Sequence, residues 1–326
     1  MVREPICLPL CLKEGINFSG ECVSNEIRFQ KALADIIKSY QKHSEIAQID
    51  EICLPAKDSI QRLADDIQVL FFPGLIRQEC LDPLDLPYVI GQKTLSIHHR
   101  LKSYIRQVLL WEAVQRGEQA EESLIKERIE TIAFEFIEYI PEIREILSDD
   151  VDAIFRGDPA AKNKKEIVIA YPGMMALSIH RTAHFFYNRN IPILPRIMSE
   201  YVHSQTGIDI HPGAKLGRGT MIDHGTGVVI GETSILGDHI RIYQGVTLGA
   251  LSPDKKHAHY NQVKRHPTIE DNVVIYAGAT ILGGETVIGR DSVIGGNVWI
   301  TRSVPSGSKI YMDTQWTTQK SVSFDN

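Results

Sequence analysis

The chain has 326 residues, 43% of them hydrophobic, 23% charged and 7% aromatic, which is enough apolar material for a packed core and enough length for two domains. A formal net charge of −6 excludes a nucleic-acid binder held by a broad basic face, because phosphate binding needs clustered Lys and Arg. The longest apolar runs, such as Val69 to Phe72 ahead of Pro73 and Gly74, fall far short of the roughly 20 residues that span a bilayer.

In chain order, Ile6 to Leu12 is apolar but is broken by Pro9 and ended by Lys13 and Glu14, so no secretory leader is expected. Five cysteines, Cys7, Cys11, Cys22, Cys53 and Cys80, are odd in number and confined to the first quarter, which fits a reducing cytoplasm. Cys7 and Cys11 lack a second pair at ligand spacing, so no metal is expected. The stretches Glu26 to Tyr40, Leu95 to Arg116, Ser123 to Tyr139 and Gly173 to Asn188 space apolar residues by three and four, which predicts helices. Pro141, Pro159, Pro172, Pro192 and Pro195 predict helix starts or breaks.

Near residue 205 the grammar changes. Seven of 24 glycines precede it, and the other 17 lie between Gly207 and Gly307. Aliphatic residues then recur every six positions at Ile210, Leu216, Ile222, Val228, Ile240 and Val246, and again at Ile269, Ile275, Ile281, Val287 and Val293, with Ser234 off the beat. A six-residue unit is a short strand plus a tight turn, and three units make one coil of a parallel β-helix. Sandwich strands recur at longer spacing and would not hold a strict six. The expected organisation is α+β: an α-helical domain over 1–205, a parallel β-helix of about four coils over 206–305, and a tail over 306–326. The beat is interrupted from about Ala250 to Thr268, where Lys255, Lys256, His257, His259, Lys264, Arg265 and His266 concentrate positive charge. A solenoid is a scaffold, so the interruption is where function is sought.

The ordered motifs Ile208-Asp209-Ile210-His211-Pro212, Ile222-Asp223-His224-Gly225-Thr226-Gly227, Gly231-Glu232-Thr233, Gly245-Val246-Thr247-Leu248-Gly249 and Arg265-His266-Pro267 resemble those of the serine O-acetyltransferase family. Asp158-Pro159-Ala160, Tyr171-Pro172-Gly173 and the run through His180-Arg181 to His184 are similar to its helical region. The resemblance covers about residues 150 to 305. It implies a left-handed β-helix, a homotrimer or a dimer of trimers, and acetyl-CoA and L-serine as substrates, the first step of cysteine synthesis. With the cysteine usage, charge and hydropathy above, the expectation is a cytoplasmic enzyme with neither a metal, a nucleic-acid partner nor a membrane.

Acetyl transfer to a hydroxyl needs a base, because a neutral alcohol is a poor nucleophile. The resemblance gives that role to His224, with Asp209 orienting its ring. Serine carries an ammonium and a carboxylate, and the resemblance assigns Asp158 and Asp223 to the first and Arg265 and His266 to the second. The backbone of Gly249 and of the Ala277-Gly278 turn would lie along acetyl-CoA. Ala250 stands where a second glycine commonly follows Gly249 in the family, and the loop from Leu251 to Lys264 is long for it. After Val304-Pro305-Ser306-Gly307 the chain ends on Phe324-Asp325-Asn326 rather than on isoleucine, so docking to O-acetylserine sulfhydrylase is not expected.

Other readings stay open at this point. They are a hexapeptide acetyltransferase for another hydroxylated amino acid or a sugar, a zinc carbonic anhydrase using His224, His239 and His266, and a catalytically silent scaffold. Apolar outward positions such as Val229, Tyr243, Val274 and Tyr276 predict an assembly that covers them and places Arg265 and His266 of one subunit beside His224 of the next.

Overall fold

The structure is a computed structural model that describes residues 20–43, 46, 53–76, 81–118, 121–251 and 263–312. Cys7, Cys11 and Cys80, the charged positions 255–259 and the end of the tail lie outside them, while Cys53 is an exposed free thiol. The chain divides into two units, Met1–Cys53 and Leu54–Asn326. In the first, α1 (Gly20–Lys42) carries Phe29, Leu33, Ile36 and Tyr40 along one side, all exposed.

The second unit begins with α2 (Lys57–Phe71), α3 (Leu86–Gln115), α4 (Glu122–Gly157), α5 (Lys164–Ala170), α6 (Pro172–Asn188) and α7 (Leu194–Thr206). Pro172 and Pro195 open their helices, where a missing N–H costs nothing, and Gly207 closes α7 in the left-handed conformation at φ 71°. Pro141 departs from expectation, since α4 runs through it without a break. Phe136 on one side and Ile143 and Leu147 on the other are fully buried in the same core, and that packing holds the helix across the lost hydrogen bond. Among the described residues no helix is long and apolar enough to cross a membrane.

Among the described residues fourteen short strands follow. They are β1 (Asp209–Ile210), β2 (Lys215–Leu216), β3 (Met221–Ile222), β4 (Val229–Ile230), β5 (Ile235–Leu236), β6 (Arg241–Ile242) and β7 (Thr247–Gly249). After the interruption come β8 (Thr268–Ile269), β9 (Val274–Ile275), β10 (Thr280–Leu282), β11 (Val287–Ile288), β12 (Val293–Ile294), β13 (Trp299–Ile300) and β14 (Lys309–Ile310). The chain visits three parallel sheets in rotation, ordered β1-β4-β7-β10-β13, β2-β5-β8-β11 and β3-β6-β9-β12-β14, which fits a parallel β-helix.

The register corrects the six-residue beat. Ile210, Leu216 and Ile222 point inward as expected, but their partners one coil later are Ile230, Leu236 and Ile242. Val228, Ser234, Ile240 and Val246 fill a second inward position two residues earlier, so a small residue at 234 is in keeping. Val287 and Val293 face outward and Ile288 and Ile294 inward. The slip arises because eight residues separate Ile222 from Ile230 and seven separate Ile281 from Ile288. The first coil therefore pairs Asp209 with Val229, a repeat longer than the eighteen expected.

Helices and coils are joined by buried polar contacts. The Arg181 guanidinium donates to both carboxylate oxygens of Asp150, at 2.8 and 2.9 Å, and to the carbonyls of Leu216 and Gly217. The Thr220 amide completes the Asp150 partners. Burial pushes the Asp150 carboxyl up to about 6 against the pull of Arg181.

Candidate active site

The extra length of the first coil lies at the corner between β3 and β4. In the next coil a single residue, Gln244, separates Tyr243 from Gly245; here His224, Gly225 and Thr226 separate Asp223 from Gly227. Thr226 takes the place of Gln244, since its carbonyl receives the Gly245 amide just as the Gln244 carbonyl receives that of Gly278. His224 and Gly225 are thus an insertion that bulges from the wall. His224 adopts φ 55° and its side chain is 69% exposed.

Three further groups gather there. Asp223 accepts the His224 amide on Oδ1 at 2.9 Å, and its Oδ2 lies 3.8 Å from His224 Nε2. Asp158, just past the end of α4, accepts from the Tyr171 hydroxyl at 2.5 Å and from the Ala160 amide at 2.8 Å. Those hydrogen bonds, helped by the field of His224, hold the Asp158 carboxyl below its usual value, while Asp158 pushes the Tyr171 hydroxyl up to about 12. The result is two carboxyl groups beside an imidazole at an open corner.

The Arg265 and His266 pair occupies the corner between β7 and β8. Thr233 organises it: its hydroxyl accepts the amides of Arg265 and His266 at 2.9 and 3.0 Å, and its own amide donates to His266 Nδ1 at 3.0 Å. An accepting Nδ1 leaves the ring proton on Nε2. Burial, with Arg265 next, pushes the His266 imidazole down to about 4, so it is neutral at pH 7. Gly231 is required because any side chain there would strike the His266 ring. Glu232 pairs with Arg265 and accepts from the Tyr187 hydroxyl at 2.6 Å.

The structure therefore brings Asp158, Asp223 and His224 together, and Arg265 and His266 together, at two different corners of one chain. Asp209 faces outward on β1, with its carboxylate within 4.8 Å of side-chain ligand atoms of Glu200 and His203; among the described residues no hydrogen bond or ion pair joins it to His224. His239 sits at the third corner, between β5 and β6, so His224, His239 and His266 do not converge in one chain. Gly249 ends β7, and the Gly278 amide is engaged by the Gln244 carbonyl.

The chain is 46% identical over 263 residues, covering 79% of it and 81% of the relative, to a plasmid serine acetyltransferase of Synechococcus elongatus. The chain belongs to the serine acetyltransferase family. A serine acetyltransferase of Bacillus pumilus is 43% identical over 165 residues, covering 51% of this chain and 72% of that one. Among solved structures, serine acetyltransferase 1 of Entamoeba histolytica in complex with L-cysteine matches with a TM-score of 0.66 and 30% identity, over 82% of this chain and 94% of that one. The Neisseria gonorrhoeae serine acetyltransferase in complex with serine matches with a TM-score of 0.51 and 26% identity over 77% and 95%. No family model matches the chain.

Within this serine acetyltransferase-family chain, sequence reasoning left four residues without a role: Tyr171, Tyr187, Glu232 and Thr233. Glu232 and Thr233 lie in the Gly231-Glu232-Thr233 motif and Tyr171 in Tyr171-Pro172-Gly173, and the charge of Glu232, opposite to that of Arg265, was the available signal. Tyr171 and Tyr187 act through hydroxyls whose partners lie 13 and 45 residues away, and no spacing rule reaches them.

Proposed function

We propose that the chain transfers the acetyl group of acetyl-CoA to the hydroxyl of L-serine, giving O-acetylserine and CoA. The observation that carries this reading is the Asp158 and Asp223 carboxylate pair beside His224, an ammonium-binding charge next to a base. His224 removes the serine hydroxyl proton as the oxygen bonds to the thioester carbonyl carbon; the C–S bond then breaks and the thiolate takes the proton back. Exposure of the ring suits this role, since the reacting groups must reach Nε2.

Arg265, which also pairs with Glu232, is assigned to hold the serine carboxylate together with the Nε2–H of His266. Because these groups stand at another corner of the same chain, the reading places them in the site of a neighbouring subunit, in a trimer or a doubled trimer built on left-handed helices of about four coils. The boundary near residue 206 then separates the helical part from the coils. Asp209 is assigned to orient the ring, one strand beneath Val229, and Gly249, Ala277 and Gly278 to let the donor lie close to the wall.

Release of free thiol from acetyl-CoA with serine, homoserine, threonine and sugars as acceptors tests the assignment. Serine is expected to be the best acceptor by kcat/KM; preference for a sugar would overturn it.

A further inference from the structure

A column of side chains climbs from the reacting corner. The register Ile222, Ile242, Ile275, Ile294, Ile310 places the next residue of each strand, Asp223, Tyr243, Tyr276, Gly295 and Tyr311, one above another on the outside of a single sheet. Tyr243 and Tyr276 stack with ring centroids 5.2 Å apart and planes 10° from parallel. Gly295 breaks the series only in sequence, because a Cβ there would meet the Tyr311 ring, which leans over it. Tyr276 and Tyr311 are 43% and 62% exposed, an unusual display of flat apolar surface.

The column starts at Asp223, whose Oδ2 lies 3.8 Å from His224 Nε2, so it opens onto the cluster around His224. Four strand steps of ~4.8 Å carry it about 19 Å. An extended pantetheine arm, roughly a dozen zigzag bonds of ~1.5 Å, spans a comparable distance. Lys309 faces outward on the last strand, two residues before Tyr311, and supplies positive charge at the far end.

Resting on the acetyl-transfer reading, we propose that Tyr243, Tyr276 and Tyr311 form an aromatic rail that positions the arm of the acyl donor, with Lys309 meeting its diphosphate. The amides of the arm lie on the ring faces, and the thioester is delivered to His224 at the acidic end. These are positioning residues and take no part in proton transfer.

The test uses the full-length protein with acetyl-CoA and with S-acetylpantetheine, which has the arm but lacks the diphosphate and the nucleotide. Tyr276→Leu and Tyr276→Ala are expected to raise KM for both donors about tenfold while kcat and KM for serine stay within twofold. Lys309→Ala is expected to raise KM for acetyl-CoA alone. CoA binding by calorimetry reads the same contrast without turnover. Unchanged donor KM in the Tyr276 variants, an equal effect of Lys309→Ala on both donors, or dissociation of the assembly by light scattering in Tyr276→Leu would overturn the rail. Weaker CoA binding by the variants of a protein that acetylates no serine would uphold the rail and sink the acceptor assignment instead.

Discussion

The His224 corner and the Arg265–His266 corner, on different coils of the β-helix, differ in what they leave unfinished. At the first, His224 stands on an inserted pair of residues, largely exposed, with a carboxylate oxygen 3.8 Å from its ring. At the second, His266 is buried, Arg265 is paired with Glu232, and Thr233 saturates the backbone. The contrast teaches which histidine is open to reactants. A ring pushed down to about 4 is a fixed, neutral hydrogen-bonding group, whereas the His224 ring stands largely exposed beside the Asp223 carboxyl.

The strongest way to break the comparison is His224→Ala, expected to lower kcat by at least ~10² while far-UV circular dichroism and thermal stability stay as they were. Near-normal turnover would remove His224 from the chemistry. At the other corner Glu232→Ala leaves Arg265 half-buried without its carboxylate. It is expected to cost about 2 kcal/mol, discounted for partial exposure, and to raise KM for serine more than it lowers kcat. A thermal melt unchanged by that substitution would show the corner to be unbuilt.

Asp209→Asn sharpens the contrast further, because it disturbs orientation while leaving the base in place. Its loss of activity is expected to be smaller than that of His224→Ala, of order tenfold in kcat. A larger loss would exchange the two roles.

The pH dependence of stability separates the corners too. Because burial holds His266 down, the unfolded chain binds a proton between about 6.5 and 4 that the folded chain refuses, so stability present at pH 7 declines as pH falls through that window. His180, His184 and His211 are pushed down by burial in the same sense, and Asp150, raised to about 6, opposes them. Melts between pH 7 and 5 should show a falling midpoint, with a shallower fall in His266→Asn. A wild-type midpoint that rises on acidification would contradict the sign. The smallest effect is expected for His224→Gly, which relieves a left-handed backbone at φ 55° and should gain a few tenths of a kcal/mol, up to about 1, by chemical denaturation, with activity still lost.

The coils were legible in the sequence because a buried aliphatic residue at nearly every sixth position is imposed by stacking, and the helices because Phe136, Ile143 and Leu147 follow the helical period. What periodicity could not reveal was a change of frame. Val228 and Ile230 are both aliphatic and both buried, so a two-residue slip leaves the pattern intact while moving Val228, Ile240 and Val246 off the paired position, until the beat holds again at Ile269, Ile275 and Ile281. The site was legible through charged motif residues. Its supports were not, since the hydroxyls of Tyr171 and Tyr187 find partners only after the helices are laid against the coils. The buried pair of Asp150 and Arg181 escaped notice for the same reason: an Asp on one helix and an Arg on another announce nothing until Arg181 meets the Leu216 carbonyl and Asp150 the Thr220 amide.

The insertion at His224 makes chemistry and architecture separately editable. Removing His224 and Gly225 together restores the six-residue interval between Ile222 and the inward isoleucine of the next coil, and every strand pairing above it can be kept. The same wall, shortened by two residues, would stand as a mute prism, its stacked isoleucines indifferent to whether the corner carries a base.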